Sequence, residues 1–275
     1  MRDVIIGQYY PGESVVHRLD PRVKLMGTLV FIVLIFLVEN FIGYALTSLF
    51  LFGIICIADI PFSKLLRGIR GILMILILSA LFNLFLTPGH ALVKIGFLKI
   101  TSAGVIRATH LIIRLISLII ATSIMTLTTK PNDLTDGLEK SFGFLNVIHF
   151  PVHAIAMIMS LALRFIPTLM EESDKIKRAQ MARGADFESG NIIVRAKSMI
   201  PILIPLFVSS IMKASGLAQA MDARCYNGEK RTKLNPLKYA KRDALGYCVL
   251  VVAIAAVILV NIIVKKHLGN TWVCF

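Results

Sequence analysis

Hydrophobic residues in this chain gather into long runs, and run length separates their fates. A hydrocarbon layer roughly 30 Å thick takes about 20 helical residues at about 1.5 Å each. Five runs predict membrane spans: 25–38, 41–57, 72–86, 105–127 and 245–264. Only Glu39 and Asn40 part the first two, which predicts a tight helical hairpin turning at one membrane face. The fourth carries Arg107, His110 and Arg114 at helical spacing, side chains that must face protein or lie near an interface.

Between 128 and 244 the pattern changes, because each apolar run is shorter and is fused to a charged continuation. Residues 153–170 run straight into EESDKIKRAQMARG, and 199–212, with Pro201 and Pro205, into KASGLAQAMDARCYNG. Such runs are short for a span, so two long kinked helices are expected, packed on other helices or dipping in from one face. The organisation read from this is a four-span bundle at 1–127, a non-spanning helical region at 128–244, and a last span with its tail at 245–275. The fold class is all-α: a polytopic membrane protein with about five transmembrane helices plus long cytoplasmic helices.

Both long helices have a readable stop. The first reaches Arg183 and meets Gly184, a residue suited to the left-handed conformation that ends helices; the second reaches Arg224 with Asn227-Gly228 close behind. Small residues line each approach, Ala179, Ala182 and Ala185 in one and Ala214, Ser215, Gly216, Ala218, Ala220 and Ala223 in the other, and these let helices cross closely. Superposing Ala182-Arg183-Gly184 on Ala223-Arg224-Cys225 also brings Ala179 onto Ala220, a weak internal repeat of 41 positions.

Composition agrees with the run lengths: 275 residues, 56% hydrophobic and 17% charged, with a mean hydropathy of +0.77, is too apolar for a water-exposed globule. The formal charge of +14 sits between apolar runs rather than in a solvated tail, which disfavours nucleic acid as partner. It leaves open a basic face on anionic lipid or a basic surface for an acidic protein. By the positive-inside rule, Arg2, Arg18, Arg22 and Lys24 before the first span and Lys64, Arg67 and Arg70 after the second place the amino terminus and 128–244 in the cytoplasm. The 87–104 connection, with Lys94, Lys99 and Pro88-Gly89, reads as an outside loop, and the carboxyl terminus falls outside. No cleaved targeting segment is evident at the amino terminus.

Other chemistry is weighed and set aside. Cys56, Cys225, Cys248 and Cys274 show no metal or disulfide spacing. His149 and His153 have Pro151 between them and no nearby carboxylate or thiol, so no metal is expected there. GQYYPGES imitates a phosphate loop, but Glu13 stands where a lysine would meet phosphate. MDARCYNG imitates part of a CDP-alcohol phosphotransferase signature, yet Asp222 lacks the further aspartates that chemistry needs. A self-contained secondary transporter would place ionisable groups or broken helices at midplane, whereas these spans are mostly uncharged at their centres. Asp20, Pro21, Arg22 and Lys24 read as an interfacial anchor before the first span, and Arg164 as a partner for another helix.

The stretches GQYYPGESVVHRLDPRVKL at 7–25 and SLALRFIPTLMEE at 160–172, with the two Ala-Arg-small motifs, resemble the transmembrane T component (EcfT) of energy-coupling factor transporters, ABC-type importers of vitamins and metals. The resemblance runs over nearly the whole chain. It implies a non-catalytic scaffold in the cell membrane whose two cytoplasmic coupling helices hold two ABC ATPase subunits, a heterodimer, while a separate membrane S component captures substrate. ATP and Mg would be bound by those ATPases, with no cofactor in this chain. Carried onto this sequence, the ATPase-binding residues are Ala182, Arg183, Gly184, Ala223, Arg224 and Cys225, with Cys225 standing where glycine is usual.

Overall fold

The computed structural model describes residues 9–38, 40–88, 91–95, 98–148, 150–187, 189, 191–226, 237 and 239–267. Among the described residues the regular structure is helical apart from one short hairpin, and the chain divides into two compact units at 142 and 237. Six helices are long and apolar enough to cross a membrane by length and composition. The all-α, polytopic architecture expected from the runs is therefore the one found.

The larger unit holds α1 (Pro21–Leu37), α2 (Phe41–Ala58), α3 (Phe62–Leu86), α4 (Ser102–Thr128), α5 (Pro131–Ser141) and α9 (Lys241–His267). Val38 and Asn40 lie in the turn between α1 and α2, so the predicted hairpin is present. Its core is Ile35 and Val38 of α1 and its turn, Tyr44 and Leu51 of α2, Leu65 of α3, Ile124 and Leu127 of α4 and Val257 of α9. Burial of each such side chain stabilises a water-soluble fold by roughly 1.5–3 kcal/mol. Against lipid tails that drive is absent, and close packing with internal polar bonds must serve instead.

Those polar bonds are concentrated at two levels. Asp20 caps α1 by accepting from the Arg22 N–H at 2.9 Å, with Pro21 at the first helical position where its missing N–H costs nothing. Asp243 in the first turn of α9, 3% exposed, accepts from the Asp20 N–H at 2.8 Å and the Ala240 N–H at 2.7 Å. Lys24 donates to the carbonyls of His17 at 2.9 Å and Thr128 at 2.8 Å, placing its ammonium on the negative end of α4. Arg22 reaches the Leu237 carbonyl at 3.2 Å and lies over the Tyr239 ring. The Asp20–Lys24 segment, expected to anchor the start of the first span, is a buried knot joining α1, α4 and α9. Its partners on α4 and α9 are 104 to 223 positions away, beyond any local pattern.

The second level is the α1–α2 turn. Arg114, halfway along α4, donates to the Tyr44 hydroxyl at 2.7 Å and the Val38 carbonyl at 3.4 Å. Asn261 of α9 donates to the Leu37 carbonyl and accepts from Asn40. Arg114 therefore faces protein, as a charge within a span must. Because α9 meets the start of α1 through Asp243 and its end through Asn261, the two helices run parallel.

Helices α3 and α4 pack along each other, and Gly104 permits a close approach. A Cβ there would lie 2.8 Å from the Leu84 carbonyl oxygen and 3.0 Å from that of Asn83. Between them β1 (Ala91–Ile95) pairs antiparallel with β2 (Leu98–Thr101), where a loop was expected. The β-branched residues Val93, Ile95, Ile100 and Thr101 favour such pairing. Thr101 then donates to the Thr87 carbonyl and caps α4.

The tyrosine-rich segment before α1 is packed as well. The Tyr10 N–H donates to the Leu127 carbonyl at 2.8 Å, and the Lys64 ammonium stands 3.8 Å from the centre of the Tyr10 ring. Gly7 and Gln8 of the same motif lie outside the described residues.

The smaller unit holds a 3-10 turn (Gly143–Ile148), α6 (Val152–Ala182), α7 (Ile192–Ser198) and α8 (Ile200–Ala223). The runs at 153–170 and 199–212, judged too short to span, belong to helical stretches of 31 and 32 residues that each contain an apolar window of membrane length. Both helices continue into their charged stretches despite an internal proline, Pro167 in α6 and Pro205 in α8, each at the cost of one backbone hydrogen bond.

Candidate functional site

The site is built on how α6 and α8 end. At the end of α6 the Gly184 N–H donates to the Met181 carbonyl at 2.9 Å and the Ala185 N–H to that of Gln180 at 3.0 Å, with Gly184 at φ 87°. At the end of α8 the Cys225 N–H donates to the Asp222 carbonyl at 2.9 Å and the Tyr226 N–H to that of Met221 at 3.0 Å, with Cys225 at φ 56°. Both are Schellman caps with the arginine at the capping position. The weak sequence repeat is therefore a geometric one, down to the same two hydrogen bonds. Asn227-Gly228, read from sequence as the second stop, lies outside the described residues; the helix has already ended at Arg224.

Cys225 is the uneven member of the pair. A side chain in the left-handed region costs roughly 1–2 kcal/mol, which glycine avoids. Asp59, ending α2, is the other described non-glycine residue at positive φ.

Ala182, Arg183, Gly184, Ala223, Arg224 and Cys225 are all exposed. Among the described residues neither guanidinium has a hydrogen-bond or ion-pair partner. A flat, permanently charged fork at a rigid helix end, flanked by alanines that leave room for a close approach, is suited to a carboxylate or carbonyl cluster on a partner.

The helices that carry these ends form an antiparallel pair. Gln180 reaches the Pro201 carbonyl at 3.4 Å, Glu172 accepts from Ser209 and Lys213, and the Tyr226 hydroxyl donates to the Met157 sulfur at 2.9 Å. Arg183 and Arg224 thus stand at opposite ends of the pair, about 35 Å apart at 1.5 Å per residue of α8. The sequence, which gave both helices the same ending, carried no sign of this separation.

The same pairing staggers the apolar halves. The 153–170 part of α6 runs beside the polar end of α8, and the 199–212 part of α8 beside the charged 172–180 stretch of α6. No upright placement puts both apolar halves in one layer about 30 Å thick without taking charged residues in with them. Length and composition, taken one helix at a time, miss this.

Arg164 is exposed and has no ion pair among the described residues, and the Glu172 carboxylate on the seam is paired with Lys213. His149 and Cys274 lie outside the described residues, and Cys56, Cys225 and Cys248 are free thiols. Among the described residues no three His, Cys, Asp or Glu side chains gather as a metal site would need.

Comparison with known proteins agrees with this architecture. Residues 12–234 match the model of the CbiQ family, described as cobalt transport protein. A protein of Thermosediminibacter oceani named energy-coupling factor transporter transmembrane protein EcfT is 46% identical over 248 residues, covering 90% of this chain and 94% of that protein. Proteins of the same name from Clostridium kluyveri, 45% identical over 94% of this chain and 97% of theirs, and Bacillus subtilis, 44% identical over 88% and 92%, are similar throughout. With helices of membrane length and near full-length similarity at this level, the chain belongs to the EcfT family of energy-coupling factor transporter transmembrane proteins.

Proposed function

We propose that this chain is the non-catalytic scaffold of an ATP-driven importer, and that Arg183 and Arg224 dock into two cytoplasmic ATPase subunits. The single observation that carries the reading is the pair of matched helix ends, each an exposed arginine on a Schellman cap, at opposite ends of an antiparallel pair. Such a pair maps onto itself by a half-turn, so it suits two similar subunits better than one. The ATPases bind ATP and Mg, and their closing and opening shift α6 and α8. A separate membrane S component, which captures a vitamin or other micronutrient, is reoriented in turn.

The stagger supports a cytoplasmic position at the membrane surface, where apolar faces meet lipid or the S component and charged stretches meet water. Phe207, 67% exposed, and Met212, 70% exposed, belong to the apolar face. The amino terminus shares the cytoplasmic side, with the basic residues that precede α1 and begin α3.

A hydrogen bond to a charged group is worth roughly 1.5–3 kcal/mol, about 10- to 150-fold in affinity. Co-purification with the ATPases in detergent should therefore weaken by that factor for Arg183→Glu or Arg224→Glu and fail for the double variant. Full recovery of both ATPases by the double variant would overturn the reading.

A further inference from the structure

The 41-position offset that superposes the arginines extends inward along both helices. Phe165, Glu172 and Ile176 are shielded on α6, and their counterparts Leu206, Lys213 and Leu217 are shielded on α8. Glu171 and its counterpart Met212 both face outward. The pair is thus built from two copies of one pattern laid antiparallel, which gives it a local half-turn axis. Such an axis passes where a residue meets its own counterpart. Glu172 meets Lys213.

We propose that Glu172 and Lys213 are the positioning pair of the coupling helices, the fulcrum that fixes their register and sets both arginines at once. Each lies 11 positions before its arginine, so the two arms are equal, about 16 Å at 1.5 Å per residue. Two identical residues on such an axis would be left without a complement if charged. Here the repeat breaks its own symmetry with a carboxylate against an ammonium, and Ser209 donates to the remaining carboxylate oxygen.

The neighbours explain why a charge is used. Phe165, Ile176, Leu206 and Leu217 would pack nearly as well after a slip of one helical turn, about 5.4 Å. One polar pair in an apolar seam makes that slip costly, the best-attested use of such pairs. A slip would carry both arginines outward or both inward, changing their separation by about 5.4 Å and spoiling both docking contacts. The idea rests on the docking reading for its consequence, while the register itself belongs to this chain alone.

The test reads both, in the full-length chain in lipid bilayers with native cysteines replaced. Oxidative cross-linking of Gln180→Cys with Pro201→Cys reports one end of the pair, and Met157→Cys with Tyr226→Cys the other. We expect Glu172→Lys or Lys213→Glu to lower cross-linking at both ends at least fivefold, and the double exchange to restore it to within twofold. The milder Glu172→Gln, with thermal melting of each variant, separates lost register from lost folding. ATPase co-purification should fall and recover in the same order. Single reversals that leave both cross-links intact, or a double exchange that fails to restore them in a normally melting protein, would overturn the fulcrum. The cross-links need no ATPase, so failure of the docking reading would appear separately, in the arginine variants.

Discussion

Two regions of equally apolar sequence bury it very differently. In α2 and α4, 28% of the most apolar window is buried within the protein, although α3 and α9 bury only 6% and 11%; in α6 it is 11%, and in the α7–α8 stretch none. The bundle around α1, α2, α4 and α9 also satisfies its charges internally, with Lys24, Asp243 and Arg114 all bonded to distant backbone or side chains. The α6–α8 pair keeps one ion pair on its seam and leaves both terminal arginines and a broad apolar face outward. The bundle ties its helices together through those internal bonds while α3 still leaves Met74 and Ile75 exposed, whereas the pair leaves its terminal arginines without an internal partner among the described residues. Perturbing the bundle should cost stability; perturbing the pair should cost association.

Four experiments press on that distinction. The largest effect is expected from Gly104→Leu, which drives a side chain into the Leu84 and Asn83 carbonyls and should destabilise the bundle by about 3 kcal/mol, at the upper end for overpacking. Thermal melting in detergent measures it, and an unchanged midpoint would mean the close α3–α4 approach is wrong. Next, Asp243→Ala strands the buried Asp20 N–H and the half-buried Ala240 N–H, a loss of about 1–3 kcal/mol. The same melt, with hydrogen exchange at the start of α1, should show it.

Cys225→Gly carries the comparison to the pair. Relieving the left-handed side chain should stabilise the end of α8 by about 1 kcal/mol, with Gly184→Ala destabilising α6 by a similar amount. Amide exchange near each cap reads this locally, and the bundle's melting should not move. Equal protection in all variants would deny the shared cap.

The smallest effect concerns the segment before α1. Burial holds the His17 imidazole below its usual value of 6.5, and the nearby Lys24 charge acts in the same direction; the Tyr10 carbonyl bond and Asp59 oppose both. A lowered pKa in the folded state means the unfolded chain binds the proton first, so stability from this segment is complete above about 6.5 and falls as pH drops below it. His17→Asn should flatten that dependence in a melt between pH 7.5 and 5. Retention of the wild-type slope would assign it to another group.

Much of this was legible one helix at a time. Run lengths gave the α1–α2 hairpin, α3, α4 and α9, since an apolar stretch must be long enough to cross lipid and its interruptions mark turns. The Ala-Arg-small motifs marked both helix ends because glycine after arginine has a conformational reason; Cys225 had none, and its cap was recognisable only by analogy with Gly184. What the sequence could not give was distance. The Asp20–Asp243 bond and the Glu172–Lys213 pair each join residues whose local surroundings say nothing of each other.

The sequence by itself determined a helical membrane protein with two equivalent helix ends, because hydrophobic length and capping chemistry act over one to seven turns of a single helix. Only the tertiary structure decided that those ends point opposite ways, that their apolar halves are staggered, and that one residue meets its own repeat-mate midway between them. Antiparallel pairing is a relation between two helices, and the seam residues that set it, spaced three and four apart on each, accept several registers until packing and one ion pair select one.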